Sequence, residues 1–121
     1  MCQSILKHRE RAYSKQHKRC FYCSATIWLR NPAAFARRNS ISIRESARFR
    51  CTAEHLRARA EGGANTRENI VAACFFCNSR RHRRSRAPTP VEFRSHVQRR
   101  IRTRRWHPQK FHHLLRSTVI R

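Results

Sequence analysis

Hydrophobic positions are sparse along this chain, and three stretches arrange them in a readable way. Phe49, Cys51 and Ala53 alternate with Arg48, Arg50, Thr52 and Glu54, the period-2 signature of a strand with one polar face. Ile70-Val-Ala-Ala is a short apolar run leading into Cys74, and Gly62-Gly63 marks a loop between it and His55. Together these segments predict a β-hairpin followed by a helix beginning near Cys77. Further on, Thr89 reads as an N-cap, Pro90 as the first helical residue, and Glu92 as the acid completing a T-x-x-E capping box. Phe93, Val97 and Ile101 then recur at i, i+4 and i+8. That narrow apolar stripe predicts a helix from Thr89 to about Arg105, ending near Trp106-His-Pro108, with arginine dominating its other faces.

The remaining segments are less regular. Residues 1–19 read as a basic arm, partly helical over Ser4 to Gln16. Thr26-Ile-Trp-Leu29 is β-prone and ends at the turn signal Asn31-Pro32, Ala33 to Arg38 suggests a short helix, and Ser40 to Ser46 carries no clear pattern. Pro88 and Pro90 close off the central unit, and beyond Pro108 only the Leu114-Leu115 and Val119-Ile120 patches stand out. The expected organisation is a basic arm (1–19), a central domain (20–87), a helical extension (88–108) and a tail (109–121), with no internal repeat.

Charge narrows the partners. The 121 residues hold 29 Lys+Arg against 6 Asp+Glu, a formal charge of +23. Such self-repulsion is tolerated mainly where a polyanion neutralises it, and arginine, which far outnumbers lysine here, grips phosphate in two-pronged fashion. Nucleic acid is the expected partner. With 39% hydrophobic residues and two glycines, a large sheet is excluded, and a core this small calls for a staple such as a structural metal. Residues 1–19 contain no apolar leader segment, and no run approaches the roughly 18 apolar residues of a membrane span. A reducing, cytoplasmic setting without membrane contact is the expectation, with thiols kept for metal. Nothing in the chain sets an oligomeric state.

The cysteines supply the staple. Cys20-x-x-Cys23 and Cys74-x-x-Cys77 are two knuckles, each presenting two sulfurs on one side of a tight turn, and four thiolates suit tetrahedral zinc. Zinc ribbons separate such pairs by about 15–20 residues, whereas 50 residues lie between Cys23 and Cys74; something substantial hangs between them. Cys2 and Cys51 are left over, and Cys51 is expected to pack beside Phe49.

A second set of polar residues is interleaved with the knuckles. Glu54-His55 offers a carboxylate and an imidazole at a strand end. Asn78 and His82 stand four apart on the helix after the second knuckle, on one face and able to share an ion. An oxygen-rich set with one imidazole suits Mg²⁺ or Mn²⁺ and also accepts transition metals such as Ni²⁺ or Zn²⁺. Imidazole is the side chain suited to taking a proton from water near neutral pH.

From Cys20 to about Arg84 the chain resembles the HNH, or ββα-metal, endonuclease family. The resemblance rests on Glu54-His55, Gly62-Gly63-Ala-Asn-Thr-Arg-Glu-Asn69, and Ile70 to Cys74-Phe-Phe-Cys77-Asn78, with fourteen residues from His55 to Asn69 and nine more to Asn78. It implies an α+β fold, a small ββα-metal domain stapled by a four-cysteine zinc site. It implies His55 as the water-activating base, Asn69 as the brace of the loop that orients His55, and Asn78 as a ligand of a catalytic ion. Glu54 stands where the family usually has Asp, and His82 matches members with a second helical histidine; both are expected as ligands. The activity implied is metal-dependent hydrolysis of phosphodiesters, in duplex DNA by preference, leaving 5′-phosphate and 3′-hydroxyl ends. Arg80, Arg81, Arg83, Arg84 and Arg86 beside the second knuckle, and Arg99, Arg100, Arg104 and Arg105 on the C-terminal helix, are the expected phosphate contacts. Two competing readings are a catalytically inactive, zinc-stabilised nucleic-acid-binding module and a ribosome-associated basic protein; the second accounts for charge and zinc but not for the Glu-His and Asn spacing.

Overall fold

In the computed structural model, which describes residues 3–115, a short antiparallel hairpin pairs β1 (Cys51–His55) with β2 (Ile70–Cys74), in a register from Cys51 opposite Cys74 to His55 opposite Ile70. Cys74 ends the strand and starts a helix: its Sγ accepts the Cys77 N–H at 3.3 Å, an N-cap that opens α4 (Phe75–Arg81). The second knuckle is therefore the first turn of α4, which begins two residues before the position expected from sequence. The result is the small ββα unit, α+β in class, with helices packed around the hairpin.

The strand expected over residues 48–54 starts later, because Ala47–Phe49 closes a 3-10 turn whose carbonyl at Ala47 takes the Arg50 N–H. Phe49 and Cys51 are buried as expected. Thr26–Leu29 does not join the sheet. It forms isolated bridges, Thr26 to Arg19 and Trp28 to Arg50, before Asn31 caps α2 (Pro32–Arg38). The patternless stretch after it holds α3 (Ile43–Ser46), defined by a Ser42/Glu45 capping box.

The basic arm is a docked helix, α1 (Gln3–Lys15), which buries Ile5 and Ala12 and packs on both strands. Just beyond it, Gln16 pairs with the outer edge of β2: its Nε2 donates to the Ala72 carbonyl at 2.8 Å and its Oε1 accepts the Ala72 N–H at 3.0 Å. An open strand edge is a template for unwanted pairing, and here one amide side chain occupies it.

The C-terminal helix, α5 (Pro90–Arg102), has both hydrogen bonds of its Thr89/Glu92 capping box. It ends three residues earlier than expected, so Arg104 and Arg105 lie beyond it. Phe93 and Val97 are buried, and Ile101 packs partly against the same core; each fully buried side chain of this kind contributes roughly 1.5–3 kcal/mol. Phe93 meets Tyr22 edge-on at 4.9 Å, and Gln98 Nε2 donates to the Tyr22 carbonyl at 2.6 Å, docking α5 on the first knuckle. A 3-10 segment, Gln109–Leu114, buries Phe111 and Leu114 beside it. Cys2 and the Val119-Ile120 patch fall outside the described residues.

At the centre the two knuckles meet. The sulfurs of Cys20, Cys23, Cys74 and Cys77, all buried, lie within 4.8 Å of one another. A tetrahedral tetrathiolate with metal–sulfur bonds of about 2.3 Å has sulfur–sulfur edges of about 3.8 Å, and Cys23 Sγ to Cys74 Sγ measures 3.9 Å. N–H groups of Tyr22 and Cys74 point at Cys20 Sγ, and the Trp106 indole N–H at Cys77 Sγ, each at 3.3 Å. Donors of this kind stabilise thiolates and orient ligands. The cage fits a tetrahedral metal ion.

His107 closes the core on the far side, 2% exposed between the Phe49 and Phe76 rings, with Nδ1 accepting from Arg48 Nε at 2.9 Å. Burial first, then the Arg48 charge, pushes its pKa down to about 3. An unfolded histidine titrates near about 6.5, so below that pH the unfolded chain takes up a proton that the native state refuses. The stability tied to neutral His107 is thus complete above pH 6.5 and is lost as pH falls toward 3. Between pH 7.5 and 5.5 the loss is about 1.4 kcal/mol. Chemical-denaturation midpoints should show it, and His107→Gln should flatten that part of the profile; parallel profiles would place the acid sensitivity elsewhere.

Candidate active site

The end of β1 delivers Glu54 and His55 side by side, and the loop that follows is built to hold them. Gly62, at φ 88°, closes the 3-10 turn Arg59–Glu61, and Gly63 lets the chain fold back so tightly that a Cβ there would lie 1.7 Å from the Arg57 carbonyl oxygen. Asn69 ties this loop to the strand. Its Oδ1 accepts the Arg57 N–H at 2.8 Å, its Nδ2 donates to the Ala64 and Arg57 carbonyls at 2.9 and 3.2 Å, and its backbone carbonyl accepts the Leu56 N–H at 2.9 Å. Asn69 thus joins the segment after His55 to the loop at three residues, Leu56, Arg57 and Ala64.

His55 is 8% exposed, and its Nε2 lies 2.8 Å from Asn65 Oδ1. An amide oxygen accepts only, so in the neutral ring Nε2 carries the proton and the lone pair resides on Nδ1. Asn65 lies in the segment that carries the resemblance but drew no role of its own there, because an Asn in a turn reads as turn chemistry.

Glu54 is 1% exposed, contrary to its expected place on a polar face. Both carboxylate oxygens have partners. Oε2 accepts from the Tyr22 hydroxyl at 2.7 Å and from Arg81 Nη1 at 2.8 Å, while Oε1 lies 2.8 Å from His82 Nε2. Burial, then the Glu54 charge and hydrogen bond, pushes the Tyr22 phenol well above its ordinary range, so it remains a donor.

Arg81 departs from expectation. It is 3% exposed and spends its guanidinium inside the protein, on Glu54 and on the carbonyls of His55, Leu56 and Pro88 at 2.9, 2.7 and 3.0 Å. It cannot grip phosphate; it ties α4 to the end of β1 and neutralises Glu54. α4 also ends at Arg81, so Arg83, Arg84 and Arg86 stand on the exposed segment after the helix. Arg80 is exposed on α4, with its guanidinium 4.8 Å from the Phe76 ring centroid. Arg99, Arg104 and Arg105 are exposed, and Arg100 is half-buried, with Nη2 on the Arg105 carbonyl at 3.2 Å.

Asn78 lies one turn before His82 and is pinned to β1: its Nδ2 donates to Thr52 Oγ1 at 3.0 Å and, more weakly, to the Ala53 carbonyl at 3.5 Å. Glu54, His55, Asn78, His82 and Arg84 line one cleft of about 260 Å³. Between α4 and α5 runs a groove of about 420 Å³ walled by Arg80, Arg83, Arg84 and His96, and Arg84 borders both spaces. Burial foremost, then Arg100, Arg99 and Arg84, lowers the pKa of His96.

Among the described residues, the four cysteines are the group of three or more histidine, cysteine or carboxylate side chains close enough to share an ion. The cleft offers a different set of donors, in which Glu54 Oε1, the His82 imidazole and the Asn78 amide stand beside His55. Adjacent ligand atoms around an octahedral Mg²⁺ at about 2.1 Å lie about 3.0 Å apart, near the 2.8 Å between Glu54 Oε1 and His82 Nε2. The cleft residues fit a hard divalent ion.

Residues 42–84 match the family model described as HNH endonuclease. No curated protein and no solved structure matches the chain. The matched segment contains Glu54, His55, Asn69, Asn78 and His82 together with the second knuckle, and the cage joins the first knuckle to it. Residues 42–84 are thus similar to an HNH endonuclease domain, and the cage adds a paired-knuckle cysteine site to that segment.

Proposed function

We propose that the protein is an endonuclease that hydrolyses phosphodiester bonds in DNA, duplex DNA by preference, with His55 as general base. One observation carries the reading: an imidazole fixed through Nε2 by Asn65 shares a cleft with the Glu54–His82 pair and Asn78, and an arginine groove opens beside it. His55 takes a proton from water through Nδ1 as the oxygen attacks phosphorus in line with the leaving oxygen. Glu54 Oε1, Asn78 and His82 would hold one divalent ion, Mg²⁺ or Mn²⁺, which when bound stabilises charge on the non-bridging and leaving oxygens. Arg80, Arg83, Arg84 and Arg99 hold flanking phosphates without reading sequence.

For the four-cysteine cage we propose zinc, because an all-sulfur tetrahedral set is its preferred structural site. Zinc in such cages contributes on the order of 10 kcal/mol to folding, which suits a core this small.

The inactive binding module has one observation in its favour: Arg81 neutralises Glu54, which weakens the attraction for a cation. End-labelled duplex cleavage under single turnover separates the two readings. His55→Ala should lower the rate by about 10²- to 10⁴-fold while leaving metal-free DNA affinity unchanged; a rate within a few-fold of wild type would remove His55 as the base. Asn65→Asp, which keeps the acceptor oxygen, should retain far more of the rate than Asn65→Leu.

Three further outcomes follow from the cage, the exposed arginines and the buried Arg81. Replacing Cys74 and Cys77 by Ser should abolish cooperative unfolding, and metal analysis of folded protein should find tightly bound zinc; folded, zinc-free protein would contradict the assignment. Reversing Arg83, Arg84 and Arg99 to Glu should weaken binding to all sequences alike and flatten the log K against log salt slope by roughly 0.9 per lost phosphate contact. Arg81→Ala should instead cost about 3–5 kcal/mol of stability, because it leaves the buried Glu54 charge with only Tyr22 and His82 for partners. Thermal melts and salt titrations distinguish the two kinds of arginine.

A further inference from the structure

Tyr22 sits between two ligands of the cage, Cys20 and Cys23, yet its hydroxyl reaches the carboxylate of the reactive cleft at 2.7 Å. We propose that Tyr22 is a positioning residue through which the four-cysteine cage sets the orientation of Glu54, so that the structural site and the reactive ion site are coupled. The proposal rests on the reading of Glu54 as a ligand of the divalent ion.

The coupling has a short physical route. Tyr22 is fully buried and held from every side. Its N–H points at Cys20 Sγ at 3.3 Å, its carbonyl takes Gln98 Nε2 at 2.6 Å, and its ring lies edge-on to Phe21 and Phe93 at 5.1 and 4.9 Å. A ring so confined places its hydroxyl at one point. That hydroxyl and Arg81 Nη1 converge on Glu54 Oε2 from different elements, one from the cage and one from α4. Two donors on one oxygen hold the carboxylate against rotation about its last bond; a single donor leaves that rotation open. With Oε2 committed, Oε1 is the oxygen left toward His82, and the ion is offered one carboxylate oxygen at a defined place. Partners of this kind, one step removed from the metal, typically account for 10- to 100-fold in affinity.

Binding of Mn²⁺ to zinc-loaded protein, followed by electron paramagnetic resonance, tests this without reference to cleavage. Tyr22→Phe keeps the ring packing and removes only the hydroxyl; zinc content should be unchanged and the Mn²⁺ dissociation constant should rise about tenfold. Trp28→Phe removes a hydrogen bond of similar length, from Nε1 to the Ser46 carbonyl at 2.8 Å, away from the cleft, and should leave Mn²⁺ affinity unaltered. Equal affinities for wild type and Tyr22→Phe, an equal loss in Trp28→Phe, or no Mn²⁺ binding by wild type would each overturn the proposal. A second measurement does not depend on the folding of Tyr22→Phe. The chain has two tyrosines, so 3-fluorotyrosine labelling of Tyr13→Phe leaves one ¹⁹F resonance, that of Tyr22. It should shift on Mg²⁺ titration, and a resonance that stays fixed through saturation would contradict the coupling. Absence of DNA cleavage with both results intact would remove the nuclease reading and leave this one standing.

Discussion

Everything in this small fold hangs on four sulfurs brought within 4.8 Å of one another across 50 intervening residues. The chain's positive charge resists compaction, and its apolar core is thin, so the hairpin needs a contact stronger than side-chain packing to hold both ends of the loop. The cage gives it one. It fixes the start of α4, because Cys74 is at once a cage member and the N-cap of that helix. It also fixes the first knuckle against β2, where the Phe21 N–H bonds to the Ala72 carbonyl at 2.9 Å, and it provides the surface on which α5 docks.

From that fixed point the reactive residues take their places by short steps. α4 presents Asn78, His82 caps its end one turn on, and β1 ends at Glu54 and His55. The Arg81–Glu54 ion pair closes the angle between helix and strand. Burying two opposite charges is costly, but here the partners are many: Tyr22 and His82 for the acid, three backbone carbonyls for the guanidinium. A network so widely bonded specifies one arrangement. In the proposed reaction the carboxylate would come to its ion already neutralised by Arg81, so geometry more than net charge would have to supply the affinity.

The parts visible in the sequence are those encoded by local spacing. Two CxxC knuckles, the Gly62-Gly63 loop and the Thr89/Glu92 box are each legible because their partners are near in the chain, while the Glu-His pair and Asn69 stand out only through the joint spacing that carries the family resemblance. The rest depends on contacts that no period reveals. In a chain with so many arginines, Arg81 reads as one more surface cation, and only the fold shows its guanidinium spent 27 residues away on Glu54. Alternation assigned Glu54 to a polar face, because the period cannot tell solvent from a buried ion pair. Tyr22 looks like filler inside a knuckle, and Asn65 like a turn residue. The arm proved to be a docked helix because Gln16 matches the free edge of β2, a pairing across 56 residues.

The central claim is that this arrangement hydrolyses DNA rather than only binding it. Conversion of supercoiled plasmid by zinc-loaded protein tests it most directly, across a titration of Mg²⁺ or Mn²⁺ and in chelator chosen to spare the cage. The account predicts relaxed circles that appear with either metal, are absent in chelator, and are resealed by DNA ligase, as 5′-phosphate and 3′-hydroxyl ends require. Plasmid retarded on a gel by bound protein yet still supercoiled at every metal concentration would contradict it.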